Sequence, residues 1–124
     1  MTRPGIVLLA HGARDPAWAR PFEAVRARLA ELQPQAAVAL AYLEFMSPDL
    51  LQAGQALAAQ GCTAVRVVPL FLGTGGHVRK DLPQLIEQLR QRHPDVRWVL
   101  APAISEHPAM VETMARVAAE SSEP

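Results

Sequence analysis

Four times along the chain an apolar run of strand length gives way to a segment with helical periodicity, and that alternation leaves few possible folds. The runs are residues 5–10, 37–43, 65–72 and 96–101. Unbroken apolar character, without polar alternation, is what a strand buried on both faces requires. Strands of this kind pair in parallel, and right-handed crossovers carry the intervening helices onto the two faces. The expected fold is α/β, a three-layer sandwich with a four-stranded parallel sheet in the order 2-1-3-4. At 124 residues the chain has room for one core and not for two. Residues 1–120 are expected to form that single domain, and residues 121–124 to fray.

The helical segments carry their own punctuation. Asp15-Pro16 is an N-cap followed by proline, but Pro21 lacks the N–H that a continuing helix needs. A short irregular turn is therefore expected first, with the main helix from about Arg20 and with Phe22, Val25, Leu29 and Leu32 on one face. Ser47-Pro48-Asp49 repeats the cap-and-proline signal for a helix that Gly61 ends. The third helix turns Leu82, Leu85, Ile86 and Leu89 inward and stops near His93-Pro94. The last begins within residues 105–108 and is expected to turn Met110, Val111, Met114 and Val117 inward.

Composition narrows the partners. The formal charge is zero, so no global field draws the chain to nucleic acid or to an anionic membrane, and an anionic ligand must be met by local cations. Cys62 is the single cysteine, which excludes an intrachain disulfide and a cysteine-cluster metal site; it reads as a small apolar residue entering a strand. The N-terminus shows no charged leader before a long apolar segment, and no run reaches membrane-span length, so a soluble cytoplasmic protein is expected.

In open α/β sheets, ligands bind beyond the carboxyl ends of the strands, where the strand order reverses. His11, Glu44, His77 and the turn at residues 105–107 each follow a strand and so share one edge. With strands one and three adjacent, His11 and His77 flank the reversal. Gly73, Gly75 and Gly76 lie just before His77 and carry no Cβ, so the loop can take positive φ and let a ligand approach its backbone closely. Arg79 and Lys80 follow at a helix start whose first amides point outward unpaired. Imidazole, free N–H donors and positive charge together suit a metal and an anionic organic ligand side by side. Without thiolates, such a site fits exchangeable Co, Ni, Fe or Zn better than a closed structural ion. Glu44, between Leu43 and Phe45-Met46, reads either as a carboxylate in an apolar setting that must find a partner or lose its charge, or equally as an ordinary solvated glutamate at a strand end. Arg14 adds another cation, although Arg14, Arg79 and Lys80 can equally be plain solvated charges. His93 reads as a surface residue, His107 as part of a helix start, and Trp18 and Trp98 as packing, with Trp18 placed to line a flat pocket.

Residues 8–16, 42–48 and 68–83, read as LLAHGARDP, YLEFMSP and VPLFLGTGGHVRKDLP, together resemble the short, single-domain form of the sirohydrochlorin cobaltochelatase family. The likeness extends to about Ala118, and the three segments in this order and spacing are specific where each alone is weak. The resemblance implies a chelatase-like fold of class II, in which a divalent metal enters a tetrapyrrole without ATP. It matches the family's two histidines to His11 and His77, as metal ligands and catalytic residues, and its acidic residue to Glu44. Longer relatives hold two such domains with the cavity between them, so a single domain implies a homodimer. The histidine-rich stretch of some longer members is missing here.

The expected substrates are therefore sirohydrochlorin, or a related anionic tetrapyrrole, and a divalent metal (Co2+ foremost, with Fe2+ and Ni2+ as alternatives), with no nucleotide. Arg14, Gly75, Gly76, Arg79 and Lys80 are the expected binders of its carboxylates. Two other readings use the same residues. A metal or tetrapyrrole carrier needs the same ligands. A histidine phosphatase needs an arginine before His-Gly, where this chain has Ala10. A nucleotide loop at residues 73–76 lacks both the dinucleotide spacing and a following Gly-Lys-Ser/Thr.

Overall fold

The computed structural model describes residues 3–73 and 75–120. Its strands are β1 (Arg3–Ala10), β2 (Ala37–Tyr42), β3 (Cys62–Pro69) and β4 (Arg97–Leu100). The helices are α1 (Arg20–Leu32), α2 (Leu50–Ala59), α3 (Gly76–Arg92) and α4 (Pro108–Glu120). All pairings are parallel and the order is β2-β1-β3-β4, as the alternation predicts. Leu8 pairs with Leu40 on one side and with Val68 on the other, so β1 is the hydrogen-bonded centre of the sheet. The tail expected to fray, residues 121–124, lies outside the described residues.

The helix boundaries follow from local chemistry. Asp15 accepts from the Ala17 N–H at 2.9 Å and starts a single 3-10 turn, Pro16–Ala19, before α1 begins at Arg20. For α2 the cap is Asp49, not Ser47. The Gln52 N–H donates to the Asp49 carboxylate and the Asp49 N–H donates to the Gln52 side chain, a reciprocal capping box. Gly61, at φ +89°, ends that helix as expected.

Side chains from the two sheet faces form two apolar layers. Val7, Leu9, Val65 and Val67 pack against α2 and α3 through Leu50, Leu57, Ile86 and Leu89, with Cys62 and Trp98 in the same layer. Burial holds the Cys62 thiol above its ordinary pKa, with Arg3 opposing weakly. On the other face Leu8, Ala10, Leu40 and Tyr42 meet Phe22 and Leu29 of α1, and Trp18 stacks on Phe22 at 4.6 Å. The two tryptophans are packing residues. Trp98 is buried, with its indole N–H donating to the His93 carbonyl at 3.2 Å, and His93 is half-buried beside it rather than on the surface.

Two expected inward faces are not inward. Val25 and Leu32 of α1 are 45% and 59% exposed, because only Phe22 and Leu29 reach the sheet. α4 buries none of its residues: Val111, Met114 and Val117 are exposed and Met110 is half-buried. Its amphipathic pattern is real, but Val111 and Met114 on that face stay exposed.

Candidate functional site

β1 delivers His11 to the carboxyl edge, and the residues after β2 are tied directly to it. The Leu43 N–H donates to the Ala10 carbonyl at 3.0 Å, and the Glu44 N–H donates to the His11 carbonyl at 3.1 Å. The β1–β2 ladder thus continues past both strands, and it holds the Glu44 turn against the histidine. Gly12 makes this approach possible. It sits at φ +92°, and a Cβ there would lie 1.8 Å from the Glu44 carbonyl oxygen. No other residue type tolerates both conditions. Phe45, next in the turn, is itself left-handed at φ +67°.

The His11 imidazole stacks on buried Phe71, with ring centroids 4.3 Å apart and planes tilted by 30°. Phe71 follows β3, and its carbonyl accepts from the Ser105 N–H at 3.4 Å, so the edge is continuous from β2 to the turn after β4. His77 occupies the first turn of α3, exposed, with Arg79 and Lys80 beside it. Gly75 caps α3 without a side-chain partner, which leaves the leading amides of a 17-residue helix open. Gly73, Gly75 and Gly76 make no use of the positive φ open to them. They are instead exposed with open space where a Cβ would stand, so the backbone is accessible without special torsions. Thr74, within this loop, lies outside the described residues.

The candidate residues form two groups on one edge: His11, Arg14 and Glu44 around the ends of β1 and β2, and Gly75, Gly76, His77, Arg79 and Lys80 at the start of α3. Glu44 is exposed, so of its two readings the solvated carboxylate at a strand end is the one the structure has. Arg79 lines a recess of about 170 Å³ that also includes Leu82, Ala101 and Glu106. His107 is at the start of α4, where its Nδ1 accepts from the Ala109 N–H at 3.1 Å. Among the described residues, no three of His, Cys, Asp and Glu come together as a metal cage.

Sequence reasoning missed two contributors. Gly12 carried a signal, a glycine directly after the histidine, but the carbonyl it must admit belongs to a segment some thirty residues away (~30 by sequence count). Phe45 carried none, since a phenylalanine gives no notice of a left-handed torsion.

The open parallel sheet, with His11, His77, the leading amides of α3 and the cations Arg14, Arg79 and Lys80 at its carboxyl edge, is an α/β architecture of the kind that binds ligands where strand order reverses. The chain belongs to the CbiX family, which it matches over residues 5–121. It is similar to the sirohydrochlorin cobaltochelatase of Saccharolobus solfataricus, with 36% identity over 84 residues, 66% of this chain and 62% of that protein. Its fold superposes on a CbiX protein from Marinobacter aquaeolei VT8 with a TM-score of 0.83 and 36% identity, covering 94% of this chain and 95% of the other. The sirohydrochlorin chelatase SirB of Bacillus subtilis subspecies spizizenii, solved in complex with cobalt, shares the fold at a TM-score of 0.76 and 24% identity. That match covers 98% of this chain and 52% of SirB. The chain thus spans less than two thirds of the Saccharolobus protein and about half of SirB. Among the described residues, no helix is long and apolar enough to cross a membrane.

Proposed function

We propose that the protein inserts a divalent metal, Co2+ foremost, into sirohydrochlorin or a closely related anionic tetrapyrrole, without ATP, in cobalamin or sirohaem biosynthesis. The observation that carries this reading is that His11 and His77 follow adjacent parallel strands at one edge, with the Glu44 turn hydrogen-bonded to His11. Insertion exchanges metal-bound water for four ring nitrogens and releases two pyrrole protons. A neutral imidazole nitrogen either holds the metal or accepts a proton, and cannot do both at once. Two histidines and a nearby carboxylate divide these tasks. His11 and His77 present the metal to one ring face and take up protons as it leaves them, and Glu44 orients the metal or passes a proton to solvent. Arg14, Arg79, Lys80 and the open amides of Gly75 and Gly76 engage the carboxylates of the macrocycle.

The working unit is a cytoplasmic homodimer in which a second copy supplies the facing wall of the cavity. The exposed apolar side chains of Val111 and Met114 on α4 support this. Fe2+ and Ni2+ are the competing metals, since imidazole accepts all three.

The test is anaerobic addition of Co2+, Fe2+ or Ni2+ to metal-free sirohydrochlorin with and without the protein, followed by visible absorption. Multiple turnovers are expected, and His11→Ala or His77→Ala is expected to slow insertion about 100-fold or more while leaving the thermal midpoint nearly unchanged. Equal insertion rates in a folded double variant would sink the assignment. Tight binding of pigment or metal without turnover would identify a carrier.

A further inference from the structure

Between the loop that follows His11 and the Glu44 turn lies a cleft of about 330 Å³ that the sequence motifs do not announce. Its walls include Arg14 from the loop after β1, Glu23 from α1, Tyr42 at the end of β2, and Phe45 and Met46 from the Glu44 turn. Phe45 is anomalous twice over. It is a bulky residue at φ +67°, where glycine or asparagine is the ordinary occupant, and its side chain is 56% exposed. Folding gains little from an exposed ring on an unfavourable backbone. Strain of this kind persists where function uses it.

What the ring contacts supplies the use. The Arg14 guanidinium lies over the Phe45 face, 4.5 Å from its centroid. The ion pairs among the described residues are Arg28–Glu31, Glu87–Arg90 and Glu112–Arg116, each within one helix, so Arg14 has no carboxylate within pairing distance. An unpaired cation is thus held in place by an aromatic face at the rim of a cleft whose walls come from the loop after His11 and the turn that contains Glu44.

From this we infer that Phe45 and Arg14 act as one recognition unit, in which the ring fixes the guanidinium so that it receives a carboxylate arm of the tetrapyrrole in the cleft. The inference rests on the chelatase reading and deepens it. It names the residue that sets which arm-bearing macrocycle is bound beside His11. The other polar groups fit one arm at the Arg14 wall. Glu23 puts like charge on the α1 wall and excludes a second carboxylate there. The Tyr42 phenol is held above its ordinary pKa by burial and then by Glu23, with Arg26 opposing, so it remains a neutral donor. The remaining exposed surface of Phe45 gives the flat ring an apolar edge to rest on. Because Glu44 and Phe45 share a turn hydrogen-bonded to His11, an arm seated at Arg14 also positions the macrocycle over the metal-bearing edge.

The experiment measures the Kd of metal-free sirohydrochlorin by fluorescence, with thermal midpoints, for the wild-type protein, Phe45→Asn, Phe45→Tyr, Arg14→Met and the Phe45→Asn/Arg14→Met double variant. Asparagine tolerates the left-handed torsion, so Phe45→Asn is expected to hold or raise the thermal midpoint while weakening binding about tenfold. A purely structural Phe45 would instead lower the midpoint. Phe45→Tyr keeps the aromatic face and is expected to bind like wild type. Arg14→Met is expected to weaken binding about tenfold alone, and much less once Phe45 is gone, because the two act as a unit. Wild-type Kd in Phe45→Asn, or additive losses in the double variant, would overturn the inference while leaving the chelatase reading intact. A wild-type protein that binds no sirohydrochlorin would overturn both.

Discussion

Helices α2 and α4 each carry an apolar stripe at helical spacing, and they meet opposite fates. α2 buries Leu50, Ala53, Gly54 and Leu57 against the sheet and α3, whereas α4 buries nothing. The difference lies in connectivity. α2 links β2 to β3 across the width of β1, and a right-handed crossover of that kind is pinned to the sheet at both ends. α4 follows β4 at the edge of the sheet, and no described strand follows it to draw it back. Ala64 and Arg66 of β3 are likewise left exposed on the sheet. Periodicity establishes that a helix has an apolar face. Topology decides what covers it.

The comparison is broken most forcefully at Leu57. Truncation to alanine leaves a cavity under α2 and is expected to cost about 2–5 kcal/mol in urea unfolding. Cys62 reports on the same layer. Its thiol is buried and held protonated, so a disulfide reagent should react slowly with the native wild type and much faster with Leu57→Ala. An unchanged thiol rate would mean that α2 does not guard this layer.

A smaller effect of counterintuitive sign is expected at Gly54. Alanine raises helix propensity by about 1 kcal/mol, yet the new Cβ would sit 2.6 Å from Leu89 Cδ2 and 3.1 Å from the Trp98 ring. Leu89 is fully buried and has little room to yield, so Gly54→Ala is expected to destabilise by about 1–2 kcal/mol. A stabilised variant would show that α2 and α3 are packed less closely than their contacts indicate.

On α4 the same logic predicts near silence. Val111→Asp changes an exposed position and should alter the unfolding free energy of the isolated chain by less than about 0.5 kcal/mol. Its effect should appear in sedimentation instead, as a shift towards monomer if α4 faces a second copy. Loss of stability with no change in mass would place the α4 stripe in contact with its own chain. Weakest of all is Glu112→Gln. It removes an ion pair with Arg116 at 2.7 Å whose partners are both well exposed, and about 0.3–0.5 kcal/mol is expected.

Much of this architecture was legible in the sequence. Four apolar runs predicted the four strands, Pro21 predicted the broken entry to α1, and Gly61 marked the end of α2. These signals are local, because buried strands, prolines and caps act within a few residues of themselves. The common edge of His11, Glu44 and His77 followed from counting strands. The surroundings of those residues were less legible. The neighbours of Glu44 left an apolar setting and a solvated strand end equally open, and the turn presents it to solvent. The glycines before His77 make positive φ available without using it, whereas at this edge Gly12 and Phe45 adopt it.

By itself, then, the sequence determined the elements, their parallel pairing and the edge to which the chemistry-bearing residues are carried. These are set by periodicity, by caps and by the handedness of the crossovers. Only the tertiary structure decided that Gly12 must admit the Glu44 carbonyl, that Phe45 holds Arg14 at the rim of a cleft, and that α4 keeps its apolar face outward. Each of these depends on segments far apart in the chain meeting at van der Waals distance. The residue pattern of one segment carries no record of which surface another will bring to it.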